Sequence, residues 1–312
     1  MSKRQRTNSS GGTRKQATLF GLWKKERPED ELSADDNTSS RRKRERDDSN
    51  LSTSRPHSNN VSSFLTSEQP QWKNISLHSN APMLILRGGI GGKKKSSIRK
   101  SLAALPGWNE NVTFQAFGRQ CTMRRRICQY SLQGKFTYSY SGLKNVEAPA
   151  FPPILYEIKC QVEALLTEYI LSNLDTIEKD LSLSSEFIQL VKKSAARSKQ
   201  NEQHGDIFNY CLLNHYRSGE EYMSYHSDDE PSLCPHSPIA SVSFGVARSF
   251  DIRQKVTKSN KNEKRSRLAR IPLGDGDVLL MLPPMQQHYE HALPVEKRVV
   301  GERINLTFRR LV

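Results

Sequence analysis

Apolar residues in "PPILYEIKCQVEALLTEYIL" (152–171) fall at positions 154, 155, 158, 162, 165, 166 and 169. That spacing lays one apolar stripe along a helix, and the leading prolines suit its first turn. A second helix is predicted over 184–196. Beyond residue 206 the period shortens. "IFNYCLLNHY", "PIASVSFGVARSFDI", "ARIPL", "DVLLML" and "RINLTFRRL" are short, rich in β-formers and partly alternating. In "ASVSFGV", Ala240, Val242, Phe244 and Val246 share one face, and Ser241, Ser243 and Gly245 the other. Helices followed by many short strands predict an α+β domain, a double-stranded β-helix (jelly roll) backed by helices.

Residues 1–75 carry no such period. They are rich in Ser, Asn, Arg, Lys and Asp and poor in apolar residues, so burial cannot offset the entropy of ordering them. The expectation is a disordered basic tail over 1–75 and one folded domain over 76–312. "GGIGGKKKS" (88–96) is not a phosphate loop. Arg87 stands where the first Gly belongs, and Lys94 follows Lys93 where Ser or Thr is needed. It reads as a flexible basic loop.

Charge adds a partner class. Lys and Arg number 48 against 33 Asp and Glu, a formal net charge of +15. So basic a chain suits a polyanion, above all nucleic acid. Two basic clusters in the tail, "KRQR" (3–6) and "RRKRER" (41–46), predict nuclear import. Between them, Gln16, Leu19, Leu22 and Trp23 resemble the box that docks on the DNA sliding clamp, with Leu22 where an aromatic is usual. The five cysteines, Cys121, Cys128, Cys160, Cys211 and Cys234, have no regular spacing and fit free thiols in a reducing compartment. No apolar run is long enough to span a membrane and the N-terminus has no apolar signal core, so a soluble intracellular monomer is expected.

The chemistry starts at "YMSYHSDDEP" (222–231). On an extended segment His226 and Asp228 point to one side. "HYEHALPVEKR" (288–298) offers His288 or His291 as a third ligand. Two histidines and a carboxylate make the facial triad of non-haem Fe(II) oxygenases, although zinc accepts the same set. The last strand bears on that choice. In "RINLTFRR", Ile304, Leu306 and Phe308 alternate with Arg303, Asn305, Thr307 and Arg309. Two buried arginines on the polar side call for an anion, and a small dicarboxylate reaches both. An Fe(II) oxygenase would use such a co-substrate; zinc hydrolysis gives no reason for the pair.

H-x-D at 226–228, a distal histidine at 291 and R-x-N-L-T-F-R at 303–309 together resemble the AlkB family of Fe(II)/2-oxoglutarate dioxygenases, which oxidatively dealkylate nucleic acids. "LLNHYRSGE", "SPIASVSFGVARSF" and "YSYSGL" (138–143) extend the resemblance, which covers about residues 105–312 and is strongest to members that repair duplex DNA. It implies that His226, Asp228 and His291 bind Fe(II), His291 being preferred because it opens "HALP". It implies O2 and 2-oxoglutarate as co-substrates. Arg303, helped by Tyr216, would hold the distal carboxylate. Arg309 and Asn214 would hold the metal-chelating end, with Asn305 and Thr307 between. The implied reaction is removal of methyl groups from 1-methyladenine and 3-methylcytosine in DNA. An RNA demethylase, or a catalytically silent nucleic-acid binder, is the alternative.

A buried metal cannot reach a stacked base, so duplex DNA must yield a flipped one. Phe117 is the expected wedge, with Gly118 at the turn and Arg119 reaching phosphate. "MRRRICQY" (123–130) would add a basic approach. Tyr138, Ser139 and Tyr140 would contact the flipped base, and Asp229, free of the metal, its exocyclic nitrogen. Glu230 is a weaker candidate that leads the chain out. The basic insertion 253–270 would grip phosphates of the opposite strand.

Overall fold

The structure is a computed structural model that describes residues 71–77, 83–116, 119–132, 134, 136–140, 143–175, 183–199, 207–256 and 265–312. The clamp-like residues Gln16, Leu19, Leu22 and Trp23, both basic clusters, Phe117 and Gly118, and residues 257–264 of the insertion lie outside them.

Two sheets face each other. The larger contains β1 (Trp72–Ile75), β2 (Met83–Leu86), β5 (Arg126–Ser131), β8 (Tyr210–Tyr216), β10 (Ile239–Gly245), β13 (Val278–Met281) and β15 (Arg303–Arg309), in the order β1-β2-β13-β10-β15-β8-β5. The smaller is built from β9 (Met223–His226), β11 (Arg248–Gln254), β12 (Arg267–Leu273) and β14 (Tyr289–Leu293), in the order β12-β11-β14-β9. Two hairpins stand apart: β3 (Thr113–Ala116) with β4 (Arg119–Thr122), and β6 (Phe136–Tyr140) with β7 (Leu143–Ala148). This is the expected jelly roll.

Alternation decides what each face meets. Ala240, Val242 and Phe244 of β10, with Ile304, Leu306 and Phe308 of β15, pack outward on the helices. These are α1 (Lys95–Ala103), α2 (Pro153–Ser172) and α3 (Ser185–Lys199). Pro153 opens α2, where a missing N–H costs nothing. Between the sheets a second cluster buries Ile85, Ile239, Phe250, Ile252, Leu279 and Met281. The other side chains of β10 and β15 turn inward to the site. No helix among the described residues is long and apolar enough to cross a membrane.

Two segments differ from expectation. The basic loop at 88–96 runs into α1, because Ile98 and Leu102, four residues apart, bury against the outward face of the large sheet. Each such burial is worth roughly 1.5–3 kcal/mol, enough to hold a short helix whose other positions are polar. Ordered structure also begins before residue 76. Strand β1 pairs with β2 in the register Trp72↔Leu86 to Ile75↔Met83, and the Trp72 ring packs 5.9 Å from that of Tyr169. One turn depends on a glycine. At Gly245, the last residue of β10, φ is +100° and a Cβ would run into the Glu302 carbonyl oxygen.

Candidate metal and co-substrate site

Strands β9 and β14 pair with His226 directly opposite His291, and Asp228 follows two residues after His226. One ligand atom from each of the three lies within 4.8 Å of the others. His226 Nε2 is 3.7 Å from Asp228 Oδ1, and His291 Nε2 is 3.8 Å from Asp228 Oδ2. His226 Nδ1 donates to the Ser224 carbonyl at 2.9 Å, which leaves Nε2 as the acceptor facing the centre. The His291 ring stacks on Phe250, centroids 5.1 Å apart. His288 closes the short helix α4 (Pro283–His288), is exposed, and takes no part in the cluster.

Burial dominates the charge states. It lowers the His226 pKa, and burial together with the charge of His226 takes His291 down to about 3. Both imidazoles are therefore neutral and able to ligate. Burial would raise Asp228, but the charge and hydrogen bond of Arg309 outweigh it and hold the carboxyl below its ordinary range. Two neutral imidazoles and a carboxylate converging on one point fit a divalent metal.

Strand β15 supplies the adjoining wall. Arg303, Asn305, Thr307 and Arg309 face inward with Asn214 and Tyr216 of β8 around a narrow cavity of about 40 Å³ that also touches His226, Asp228 and His291. The strands are in register, Arg303 opposite Tyr216 and Asn305 opposite Asn214. Asn305 Nδ2 donates to Ser241 Oγ at 2.8 Å, and Thr307 Oγ1 donates to Asn305 Oδ1 at 3.2 Å. Arg303 is 2% exposed. Its Nη2 donates to Ser243 Oγ at 2.9 Å, its guanidinium carbon lies 5.6 Å from the Tyr216 ring centre, and its Nε has no partner. No carboxylate of the described residues pairs with it, and burial lowers its pKa to about 10. A buried guanidinium with an idle donor beside a metal triad fits a carboxylate ligand.

Arg309 Nη2 is 2.7 Å from Asp228 Oδ1, so it also holds the carboxylate of the candidate triad. Three side chains sit differently from expectation. Glu230 does not lead the chain outward. It is 8% exposed and lies 3.6 Å from Arg309. Asp229 is not free, because Lys255 Nζ lies 2.6 Å from its Oδ2. Arg125, read as part of a basic approach, is buried and donates from Nε to Asn214 Oδ1 at 2.6 Å. Arg124 of the approach is exposed, as is Arg119, the expected phosphate contact. Tyr138, Ser139 and Tyr140 lie on β6, whose pairing with β7 shifts register between Tyr138 and Tyr140. Their side chains lie outside the description.

Sequence reasoning gave Arg248 no role. It is 1% exposed and binds Glu296 through Nε at 2.9 Å. Its other nitrogens donate to the carbonyls of Ser218, Gly219, Glu221 and Pro294. It thus joins the loop after Tyr216 to the loop after His291. Its only signal was a single Arg at the start of a strand. A second cavity, about 450 Å³, opens on the far side of Asp228 and is lined by Asp229, Glu230, Lys255, Gln286 and Arg310 among others.

A model of the "2OG-Fe(II) oxygenase superfamily" matches residues 82–309. The human protein "DNA oxidative demethylase ALKBH2" is 44% identical over 108 residues, 35% of this chain and 41% of that one. The Arabidopsis thaliana protein of the same name is 27% identical over 266 residues, 80% of this chain and 72% of that one. "Alpha-ketoglutarate-dependent dioxygenase alkB homolog 3" of Bos taurus is 39% identical over 177 residues, 56% of this chain and 49% of its own. The mammalian ALKBH2 proteins are matched over less than half their length, 48% in mouse and 41% in human. Among solved structures, OsALKBH1 covers 76% of this chain with a TM-score of 0.43 and 18% identity, a likeness too loose to carry an inference. The chain belongs to the 2OG-Fe(II) oxygenase superfamily.

Proposed function

We propose that the protein is an Fe(II)- and 2-oxoglutarate-dependent DNA demethylase that removes methyl groups from ring nitrogens such as those of 1-methyladenine and 3-methylcytosine. The observation that carries this reading is Arg303, a buried guanidinium with no carboxylate partner among the described residues, on the strand that also holds Asp228 through Arg309. His226, Asp228 and His291 would hold Fe(II). Iron held there would supply, with O2, hydroxylation of the N-methyl carbon coupled to conversion of 2-oxoglutarate to succinate and CO2, and the carbinolamine so formed on the base would release formaldehyde and the repaired base.

The chain's own residues bind and orient. Arg303, with Tyr216 against it, takes the distal carboxylate of 2-oxoglutarate. Asn214 supports the opposite end with Asn305 and Thr307, while Arg309 keeps Asp228 ionised and adds positive charge there. The apolar packing of Phe250 on His291 excludes water from that ligand. The 450 Å³ cavity beside Asp228 is large enough for a nucleobase.

Duplex DNA is the proposed substrate. Phe117 acts as wedge, Gly118 as turn and Arg119 as phosphate contact; Tyr138, Ser139 and Tyr140 form a lid over the base; the basic residues of 253–270 grip the opposite strand. Residues 1–75 serve as a nuclear-import and clamp-binding tail through Gln16, Leu19, Leu22 and Trp23, ahead of a monomeric oxygenase domain. The curated relatives named as DNA oxidative demethylases support the substrate class.

One methylated sequence, offered as duplex DNA, single-stranded DNA and RNA with Fe(II) and 2-oxoglutarate, tests the reading. Demethylation fastest on duplex DNA, and abolished in His226→Ala, is expected. A preference for RNA, or no demethylation, overturns it.

A further inference from the structure

Arg248 opens β11, and all the acceptors of its guanidinium lie in two loops. Nε donates to Glu296 at 2.9 Å, Nη1 to the Ser218 carbonyl at 3.0 Å, and Nη2 to the carbonyls of Gly219, Glu221 and Pro294 at 3.4, 3.0 and 2.7 Å. Residues 217–222 leave Tyr216, the end of β8, and lead into β9. Residues 294–302 leave β14 and lead into Arg303, the start of β15. The loops also bond to each other. Gly219 N–H donates to the Val299 carbonyl at 3.1 Å, and Glu296 N–H to the Gly219 carbonyl at 2.7 Å. A Cβ on Gly219 would run into the Glu296 carbonyl oxygen. Ser249 fixes the Glu296 carboxylate in turn, donating from N–H at 2.9 Å and from Oγ at 2.7 Å.

The same guanidinium reaches the candidate co-substrate wall. Its carbon lies 5.9 Å from the centre of the Tyr216 ring, and that of Arg303 lies 5.6 Å from the same centre. Both contacts are within cation–π range. Tyr216 is buried, so its ring shifts only if these neighbours shift. Arg248 therefore bears on Tyr216 directly and on Arg303 through the loop that leads into it. The histidines depend on it less, because β9 and β14 pair directly and set His226 opposite His291. A 2-oxo dicarboxylate would be held at one end by the triad and at the other by Arg303. The span between those two points then selects chain length, and a brace that fixes the Arg303 wall fixes the span.

We propose that Arg248 is a positioning residue: through Tyr216 and the two loops it fixes the wall that receives the distal carboxylate, and so sets the chain length of the 2-oxo dicarboxylate that the site accepts. The inference rests on the demethylase reading and adds to it a residue that touches neither metal nor co-substrate.

The test is equilibrium binding of 2-oxoglutarate and of 2-oxoadipate, one methylene longer, to Mn(II)-loaded protein with O2 excluded. Wild-type protein should prefer 2-oxoglutarate. Arg248→Lys, whose ammonium cannot span both loops, should weaken 2-oxoglutarate by about fivefold, part of what a charge-assisted hydrogen bond contributes, and 2-oxoadipate by less, so that the preference narrows. Mn(II) affinity should stay unchanged, which a general loss of packing would not allow. Glu296→Gln keeps the guanidinium and should narrow the preference in the same direction; it decides the matter if Arg248→Lys does not fold. In a Tyr216→Leu background, Arg248→Lys should have no further effect on the preference. Equal weakening of both acids, unchanged binding of both, a fall in Mn(II) affinity alongside, or a full effect without the Tyr216 ring would overturn the proposal and leave the demethylase reading standing. Wild-type protein that binds Mn(II) but neither acid would remove that reading, and the proposal with it.

Discussion

His226 and His291 face each other across the β9–β14 pair with ring centroids 4.2 Å apart, and Asp228 lies within 4 Å of both. Two imidazoles so close, both held neutral by burial, gain most from a shared cation. A divalent metal at 100 times its dissociation constant should stabilise the protein by about 2.7 kcal/mol, read as a rise in Tm. His291→Ala should abolish that rise and His288→Ala should leave it intact. A rise that survives His291→Ala would move the metal elsewhere.

Arg303 gives the second prediction. A charge-assisted hydrogen bond is worth roughly 1.5–3 kcal/mol, so Arg303→Gln should raise KM for 2-oxoglutarate by at least tenfold while kcat at saturation changes less. Arg303→Lys should recover only part of the loss, because an ammonium lacks the planar fork. An unchanged KM in Arg303→Gln would remove Arg303 from the co-substrate site.

Arg248 should matter through stability. Truncation to Ala strips Glu296 and four carbonyls of their shared donor, a loss of about 3–5 kcal/mol by analogy with broken buried pairs. Urea unfolding measures it, and Arg248→Lys should restore less than half. A variant as stable as wild type would show that these contacts carry no weight.

Acid should destabilise the metal-free protein. Burial is the first cause lowering the pKa of His215, His226 and His291. The unfolded chain therefore takes up protons near pH 6.5 that the folded chain refuses, so stability is full above that pH and falls below it. Each histidine contributes up to about 1.4 kcal/mol per pH unit across its window. Urea midpoints at pH 7.5 and 5.5 should differ accordingly; equal midpoints would contradict the burial of these rings.

Much of the site was legible because it depends on short-range periodicity. Strict alternation in "RINLTFRR" assigned Arg303, Asn305, Thr307 and Arg309 to one face, and the structure places them there. H-x-D on an extended segment likewise needs only two residues. Pairings between distant segments were not legible. Asp229 meets Lys255 from 26 residues away, and Asn214 meets Arg125 from 89. The same locality explains α1, whose two buried residues, Ile98 and Leu102, are a faint signal in a lysine-rich run. It also explains Glu230, drawn inward by Arg309, the residue at the far end of the chain that no reading of "SDDEP" includes.

The most direct measurement follows a duplex carrying one 1-methyladenine in purified protein with Fe(II), with and without 2-oxoglutarate, and quantifies adenine, formaldehyde and succinate together. Adenine and formaldehyde should appear in equal amounts, with succinate formed alongside, only when 2-oxoglutarate is present and not in His226→Ala. Succinate formed while the methyl group stays on the base, or demethylation that needs no 2-oxoglutarate, would contradict the assignment.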